Sequence, residues 1–264
     1  AVAICEDLWQ DGGPVSQVKS NGAGLLVVLN GSPYERDKDD VRLNLVKRRA
    51  QEANSTLAYV NMVGGQDELV FEGDSIIVSK SGDVLERALQ FEVDMLIADL
   101  EIAPAGSQTQ LSNGEAVTVL STLSSTENKP ALTADARKRL DPIGEVYSAL
   151  VVSLRDYVVK NGFKSIALGL SGGIDSALVL ALAVDALGAD KIHAVMMPSP
   201  YTADISWIDS RDMVKRLGVR YDEISIAPLF EGFKSALKAQ FEGLAEDTTE
   251  ENIQARVRGT LLMA

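Results

Sequence analysis

The sequence predicts an α/β protein in two parts, a strand-rich layered part followed by a parallel sheet with helices between its strands. Three observations point there. Short apolar runs accompany a helical pattern through residues 1–101, Gly, Ser, Thr, Asn and Pro accumulate around Ala103 to Pro130, and strand and helix patterns alternate from Ser165 onward. At about 150 residues per domain, 264 residues allow two buried cores.

In the first part, Ala1 to Ile4, Gly24 to Leu29, Thr56 to Met62 and Ser75 to Ser79 are apolar runs of strand length. Asp39 to Asn54 reads as a helix, because Val41, Leu45, Val46, Ala50 and Ala53 recur at helical spacing. Ser81-Gly82 marks a turn, and Phe91 to Leu100 is a further strand candidate. Apolar periodicity then weakens, which places domains at 1–101 and 141–264 with a linker over 102–140.

Asp141-Pro142 supplies an N-cap and a proline at the first helical position, and Asn161-Gly162 supplies the stop. The expected helix is Pro142 to Lys160, with Val146, Leu150, Leu154 and Val158 as its buried stripe. Strand Ser165 to Leu170, helix Ser176 to Leu187, strand Lys191 to Met197, helix Asp204 to Leu217 and strand Val219 to Ile226 follow, the pattern of a parallel, doubly wound sheet. Pro228 to Phe241 is another helix, and Thr248-Thr249-Glu250-Glu251 offers a capping box to the last one.

Composition narrows the function classes. Apolar residues make up 46% and charged residues 24% of the chain, no apolar run approaches the ~20 residues of a membrane span, and no signal-peptide pattern is present, so a cytoplasmic protein with no membrane partner is expected. A net charge of -13 argues against general nucleic-acid binding by counterion release but permits a local anion site built from backbone N–H groups. One cysteine, Cys5, excludes an intrachain disulfide and a multi-cysteine zinc site. The chain opens within a strand without an initiator methionine and closes at Ala264 in a helix without a C-cap, so the expectation is a fragment. Separately, the complete protein is expected to be a homo-oligomer.

The most informative stretch joins a strand to a helix. Small residues at Gly169, Ser171, Gly172 and Gly173 after Leu170 let the backbone turn sharply and aim N–H groups at one point, where the helix following Ile174 and Asp175 adds its positive dipole end. The structural alternative is an ordinary tight strand-to-helix turn. No Gly-Lys-Ser/Thr ending is present, so phosphate charge has to be offset by amides, by the hydroxyls of Ser171 and Ser176, and by a metal held by Asp175.

Ser171-Gly172-Gly173-Ile174-Asp175-Ser176 resembles the pyrophosphatase loop of the N-type ATP family, whose members cleave ATP between the α and β phosphates and form adenylated intermediates. Met196-Met197-Pro198-Ser199-Pro200-Tyr201-Thr202 and Thr249 to Gly259 resemble signatures of NAD synthetase. That resemblance implies ATP and Mg2+, adenosine contacts around Met197, and Asn252 and Arg256 facing deamido-NAD. Independently, Ile253, Val257 and Leu261 stripe one helix face while Asn252 and Arg256, four apart, share another. Taken alone, such a helix reads as a solvated face.

Cys5 follows a short strand, where α/β sites are commonly built, yet a lone cysteine reads more readily as a small buried hydrophobe. The one histidine, His193, falls in an expected strand far along the chain, so the base for a catalytic Cys5 is a carboxylate, with a lysine or amides for the oxyanion. Cys5-Glu6-Asp7-Leu8-Trp9, Asn30-Gly31-Ser32-Pro33-Tyr34 and Tyr59 to Phe71 resemble a nitrilase-type glutaminase with a Glu-Lys-Cys triad. The resemblance makes Cys5 the nucleophile and places Glu6, Ser32 and Lys38 at glutamine, with Asn30 supporting the loop and Gly64-Gly65 as a turn. Gly31 and Asp37 depart from the alanine and glycine usual in that family, which leaves the loop path to Lys38 open. The triad glutamate and lysine have no counterparts in these residues, nor do further metal and ATP ligands.

Together the two halves resemble glutamine-dependent NAD synthetases. The implied fold is the C-terminal part of a nitrilase-like α-β-β-α sandwich followed by a Rossmann-like N-type ATP pyrophosphatase domain. Glutamine, ATP and deamido-NAD are the implied small-molecule partners. Two other classes stay open: a glutamine-fed ligase with a different acceptor, separable by acceptor tests, and a noncatalytic nucleotide-binding protein, which would release no pyrophosphate.

Overall fold

A computed structural model describes residues 1–102, 110–116, 132, 136–245 and 247–264. Much of the expected linker therefore lies outside the described residues. The chain divides into two compact units, Ala1–Ser153 and Leu154–Ala264.

In the first unit, β1 (Val2–Ile4), β2 (Leu25–Asn30) and β3 (Thr56–Asn61) run parallel, and β6 (Ile76–Val78) and β7 (Val84–Arg87) continue the sheet antiparallel, in the order β1-β2-β3-β6-β7. Parallel neighbours need crossovers, here supplied by α1 (Glu6–Trp9) with α2 (Gly13–Ser20) and by α3 (Lys38–Ala53). Alternate strand residues face opposite sides. Ala3, Leu26, Val28, Leu57 and Tyr59 are buried with Val15 and Val18 of α2 and with Leu45, Val46, Ala50 and Ala53 of α3. Wholly buried Leu26, Val28 and Leu57 each contribute about 1.5–3 kcal/mol. The other face leaves Val2, Ile4, Leu29 and Val60 exposed.

Gly64 and Gly65 belong to β4 (Val63–Gln66), which pairs with β5 (Leu69–Glu72) in a separate hairpin. The turn falls after them, with Asp67 in the left-handed region, because the side chains at 67 and 68 project freely there while the glycines take ladder positions. The strand expected over Phe91 to Leu100 does not form. Phe91 adopts φ 60°, is buried against Tyr34 with ring centroids 5.3 Å apart, and breaks the extended path. The antiparallel position beside β6 is taken by β7, so Val93 and Met95 alternate with strand period but have no ladder.

Helix α4 spans Pro142–Lys160, capped by Asp141 Oδ1, which accepts from the N–H groups of Ile143 and Gly144 at 3.0 and 2.8 Å. Its buried stripe differs from the expectation. Ala149 and Val152 pack with Phe91, and Glu145 accepts from Gln90 Nε2 at 2.8 Å, which turns Val146 and Leu150 outward. Val158 is buried as expected.

In the second unit, β8 (Ile166–Gly169), β9 (Ile192–Met196) and β10 (Arg220–Glu223) form a parallel sheet in the order β10-β9-β8, with α5 (Ile174–Leu187) and α6 (Asp204–Leu217) as crossovers. Each crossover advances the chain in the same direction, as in one half of a doubly wound sheet. Helices α7 (Ala227–Leu237) and α8 (Thr248–Met263) complete the unit. Val257 of α8, with Ile253, Leu261 and Leu262 beside it, packs on Val195, Met197 and Ile226. The α8 cap sits one residue earlier than expected: Asp247 Oδ1 accepts from Thr249 N–H at 2.7 Å and Glu250 Oε2 accepts from Asp247 N–H at 2.7 Å. Aspartate is the better cap here because its carboxylate also meets the positive helix end.

Candidate functional site

Each unit carries a candidate site at the carboxyl ends of its strands. In the first, Cys5 leaves β1 with φ 44° and ψ -101° and starts α1. Such a conformation costs a non-glycine residue about 1–3 kcal/mol and persists only where neighbours hold it. Four hydrogen bonds brace the turn and the segment that follows it. Cys5 N–H donates to Leu29 O at 2.8 Å, Ile4 N–H donates to Asp7 Oδ2 at 2.9 Å, and fully buried Arg49 donates from Nη2 to the carbonyls of Gln10 and Gly12 at 2.9 and 3.2 Å. A half-buried thiol at a strained strand-to-helix turn is a chemically competent place for a nucleophile.

Asn30 and Asn61 end β2 and β3 in register. Asn61 accepts from Ser32 N–H through Oδ1 at 3.1 Å, which fixes buried Ser32 on the loop after β2. Lys38 is paired with Glu35 at 2.5 Å, and Glu6 is exposed at the start of α1. In the same unit, Arg42 and Glu72 form a buried ion pair, and Asp74 accepts from Arg87 at 2.5 Å. Burial pushes the carboxyls of Glu72 and Asp74 up, opposed by Arg42 and Arg87 respectively. Burial likewise pushes the Tyr59 phenol up to about 12. Arg42, Tyr59 and Glu72 carry no sequence signal as site residues, although Tyr59 opens one of the motifs.

In the second unit, β8 ends at Gly169 and the chain turns through Leu170 to Gly173 into α5. Gly172 adopts φ 79°, and a Cβ there would stand 2.5 Å from the Cα of Ser206, so only glycine lets the loop approach α6. Ser176 Oγ accepts from Ser171 N–H at 3.2 Å and shares a hydrogen with Ser171 Oγ at 3.0 Å, while Ser171 Oγ accepts from Gly173 N–H at 3.2 Å. The loop is thus braced by its own hydroxyls, and the first N–H groups of α5 have no acceptor within the helix. Asp175 is exposed in that first turn.

A cavity of about 350 Å³ opens beside the loop, lined by Gly169, Leu170, Ser171, Met197, Thr202 and, from α8, Ala255, Arg258 and Gly259. Gly172, Gly173 and Ile174 line a neighbouring hollow with Asp209 and Ser210. Arg258 donates from Nε to Met197 O at 3.0 Å, and burial lowers its guanidinium below the usual arginine value. Asn252 and Arg256 share an exposed face of α8 and do not line the cavity. Arg258 is the α8 arginine that does, and only its place two residues beyond Arg256 in the same motif signals it. His193 is a strand residue that hydrogen-bonds Asp222 at 2.7 Å. Among the described residues no three His, Cys, Asp or Glu side chains converge as a metal cluster.

Residues 1–109 match the carbon-nitrogen hydrolase family and residues 146–264 match the NAD synthase family. Across nearly the whole chain, the glutamine-dependent NAD(+) synthetase of Acinetobacter baylyi is 40% identical over 262 residues, and that of Xylella fastidiosa is 42% identical over 263. The chain belongs to the glutamine-dependent NAD(+) synthetase family. It covers 99% and 100% of itself in these matches and 44% of each relative, so it spans about half the length of the curated relatives it matches. The structure of the Acinetobacter baumannii glutamine-dependent NAD+ synthetase, in complex with adenosine diphosphate, superposes with a TM-score of 0.77 at 40% identity, over 99% of this chain and 45% of that one. In this family frame the two sites fall in separate matched regions, Cys5 in the hydrolase part and the Ser171 loop in the synthase part. Among the described residues no helix is long and apolar enough to cross a membrane.

Proposed function

We propose that the protein converts deamido-NAD to NAD, with ATP as the activating substrate and glutamine as the nitrogen source. The observation that carries this reading is the presence, in one chain of this family, of a strained thiol turn at Cys5 and a hydroxyl-braced glycine turn at Ser171 to Ser176. The glutaminase part is assigned to 1–101, the connection to 102–140 and the synthetase part to 141–264.

At the first site, the Cys5 sulfur attacks the glutamine side-chain amide, ammonia leaves, and water releases glutamate from the thioester. Ser32, Glu6 and Lys38 are assigned to holding the substrate, and the backbone N–H groups of the turn to the oxyanion. At the second site, the deamido-NAD carboxylate attacks the α-phosphorus of ATP, the bond to the bridging oxygen breaks, and pyrophosphate leaves. Ammonia then attacks the acyl carbon and AMP departs with the bonding pair. Activation is required because a carboxylate is a poor acyl donor.

The loop N–H groups and the first turn of α5 are assigned to the phosphates, the cavity beside Met197 to the adenosine, and Asn252 with Arg256 to deamido-NAD. Mg2+ fits this site in the manner of a cation held by one protein carboxylate plus phosphate oxygens, with Asp175 as the carboxylate. When bound, it offsets phosphate charge. The ADP complex of the Acinetobacter baumannii relative supports nucleotide binding here. The same reading makes the protein a cytoplasmic homo-oligomer, which sedimentation and fractionation would check.

The test separates the two nitrogen sources. Cys5→Ala should abolish NAD formation from glutamine and keep the ammonia-fed reaction, whereas Asp175→Ala should remove both. Loss of both activities in Cys5→Ala, or an unchanged ammonia-fed rate in Asp175→Ala, would overturn the division.

A further inference from the structure

We propose that Arg139 and Val152 are positioning residues for the stretch 31–38, so that glutamine recognition depends on a part of the chain that, from residue 146, matches the synthase family. The inference rests on the reading of Ser32 and Lys38 as glutamine contacts.

The stretch has little hold of its own. It enters α3 through Asp37, which adopts φ 66° and gives the helix no side-chain cap. Aspartate takes that left-handed conformation less freely than glycine does. Glu35, Arg36 and Asp37 are exposed, and Lys38 pairs with Glu35 inside the same stretch. Its fixed points lie elsewhere. Asn61 clasps the Ser32 backbone, accepting its N–H at 3.1 Å and donating from Nδ2 to its carbonyl at 3.4 Å. Tyr34 N–H donates to Val70 O at 2.7 Å, and the Tyr34 ring meets Phe91 edge to face with centroids 5.3 Å apart.

Phe91 is backed in turn by α4. Ala149 and Val152, one helical turn apart, are buried with Phe91 in one apolar cluster, against which Tyr34 and Val70 pack. Leu140 N–H donates to Gln90 Oε1 at 2.8 Å and Gln90 Nε2 donates to Glu145 at 2.8 Å, which fastens the start of α4 to the residue before Phe91. Arg139 pairs with Asp40 at 2.7 Å, two residues beyond Lys38. Residues 139–152 therefore grip the stretch twice, at Tyr34 through Phe91 and just past Lys38 through Asp40. All of them lie in the first compact unit, which runs to Ser153. Loosening a grip lets the stretch leave its binding arrangement part of the time, and apparent affinity falls with the fraction that stays competent. The effect is on binding, so it belongs in KM rather than kcat.

The experiment measures glutamate release from glutamine by the intact protein and, in the same preparations, NAD formation fed by ammonia. Val152→Ala should raise KM for glutamine on the order of fivefold, with glutaminase kcat and the ammonia-fed rate each changed less than about twofold. Phe91→Leu should act alike, and the double variant should raise KM by less than the product of the single effects, because both loosen one contact. Arg139→Gln, whose ion pair is partly solvated, should raise KM about twofold. An unmoved KM in Val152→Ala, effects of Val152→Ala and Phe91→Leu that simply multiply, or an equal fall in the ammonia-fed rate overturns the proposal. If Val152→Ala does not fold, an unmoved KM in Arg139→Gln overturns it. Ser32→Ala tests the reading beneath. An unchanged KM there removes the stretch from glutamine and the proposal with it, whereas a raised KM there with an unmoved one in Val152→Ala leaves that reading standing and overturns the proposal alone.

Discussion

Arg258 reaches from the middle of α8 to the carbonyl oxygen of Met197, donating through Nε at 3.0 Å. This bond ties the helix to the end of β9, where the cavity beside the glycine turn opens. Arg258→Met keeps the length of the apolar stem and removes the bond and the charge. ATP should bind on the order of ten times more weakly by calorimetry, the loss expected when a charged hydrogen-bond donor is removed from a partly closed site. Unchanged affinity would show that Arg258 only packs.

Arg49 closes the Cys5 turn from α3 by holding the carbonyls of Gln10 and Gly12. Arg49→Ala takes the guanidinium donor away from those oxygens and opens a hole where a fully buried side chain stood. Urea unfolding should show a loss of about 2–4 kcal/mol, and glutamine-driven turnover should fall with it, because the Arg49 hydrogen bonds to the segment after α1 are lost. A stability loss below about 0.5 kcal/mol would refute the brace.

Gly172→Ala places a methyl where the backbone of Ser206 already stands, and at a positive φ. The expected cost is about 1–3 kcal/mol of stability, with ATP-dependent pyrophosphate release lost because the turn must move away from α6. Wild-type release rates would show that the turn tolerates the shift.

Asp247 caps α8, and the Thr249 backbone N–H holds its carboxyl below the ordinary aspartate value. A depressed folded-state pKa stabilises the cap above the unfolded value and loses that stabilisation as pH falls through the folded one. Amide exchange at Thr249 should therefore quicken on acidification below the ordinary aspartate range. In Asp247→Asn, which cannot ionise, exchange should show no such pH step.

Much of the fold was legible in the sequence where a single element decides its own state. Helix Asp204–Leu217 and helix Pro142–Lys160 lie where periodicity, caps and glycine stops put them, and β1, β2, β3, β8 and β9 match their apolar runs. Phe91 to Leu100 shows the limit. Its alternation satisfies the local condition for a strand, but a strand also needs a free ladder, and β7 has taken it. The stripe of α4 failed for a related reason: which face is buried depends on what packs there, and Phe91 and Gln90 select Ala149, Val152 and Glu145.

The sites divide the same way. The glycine turn at Ser171 to Ser176 and the cysteine after β1 can be read directly, because small residues, hydroxyls and a thiol at strand ends declare their chemistry locally. Arg42, Glu72, Tyr59 and Arg258 declare nothing, since arginines and glutamates on amphipathic helices and strands are ordinary until tertiary packing buries them.

By itself, the sequence determined the α/β class, the order of the elements, and the two turns that carry a thiol and a run of small and hydroxyl residues, because backbone conformation and hydrophobic period are short-range properties. Only the tertiary structure decided which charged groups are paired in the interior, which α8 arginine faces the cavity at Met197, and which helix faces are covered. Those outcomes depend on contacts between residues far apart in the chain, and the free energy of burying a charge is set by the partners that such contacts supply.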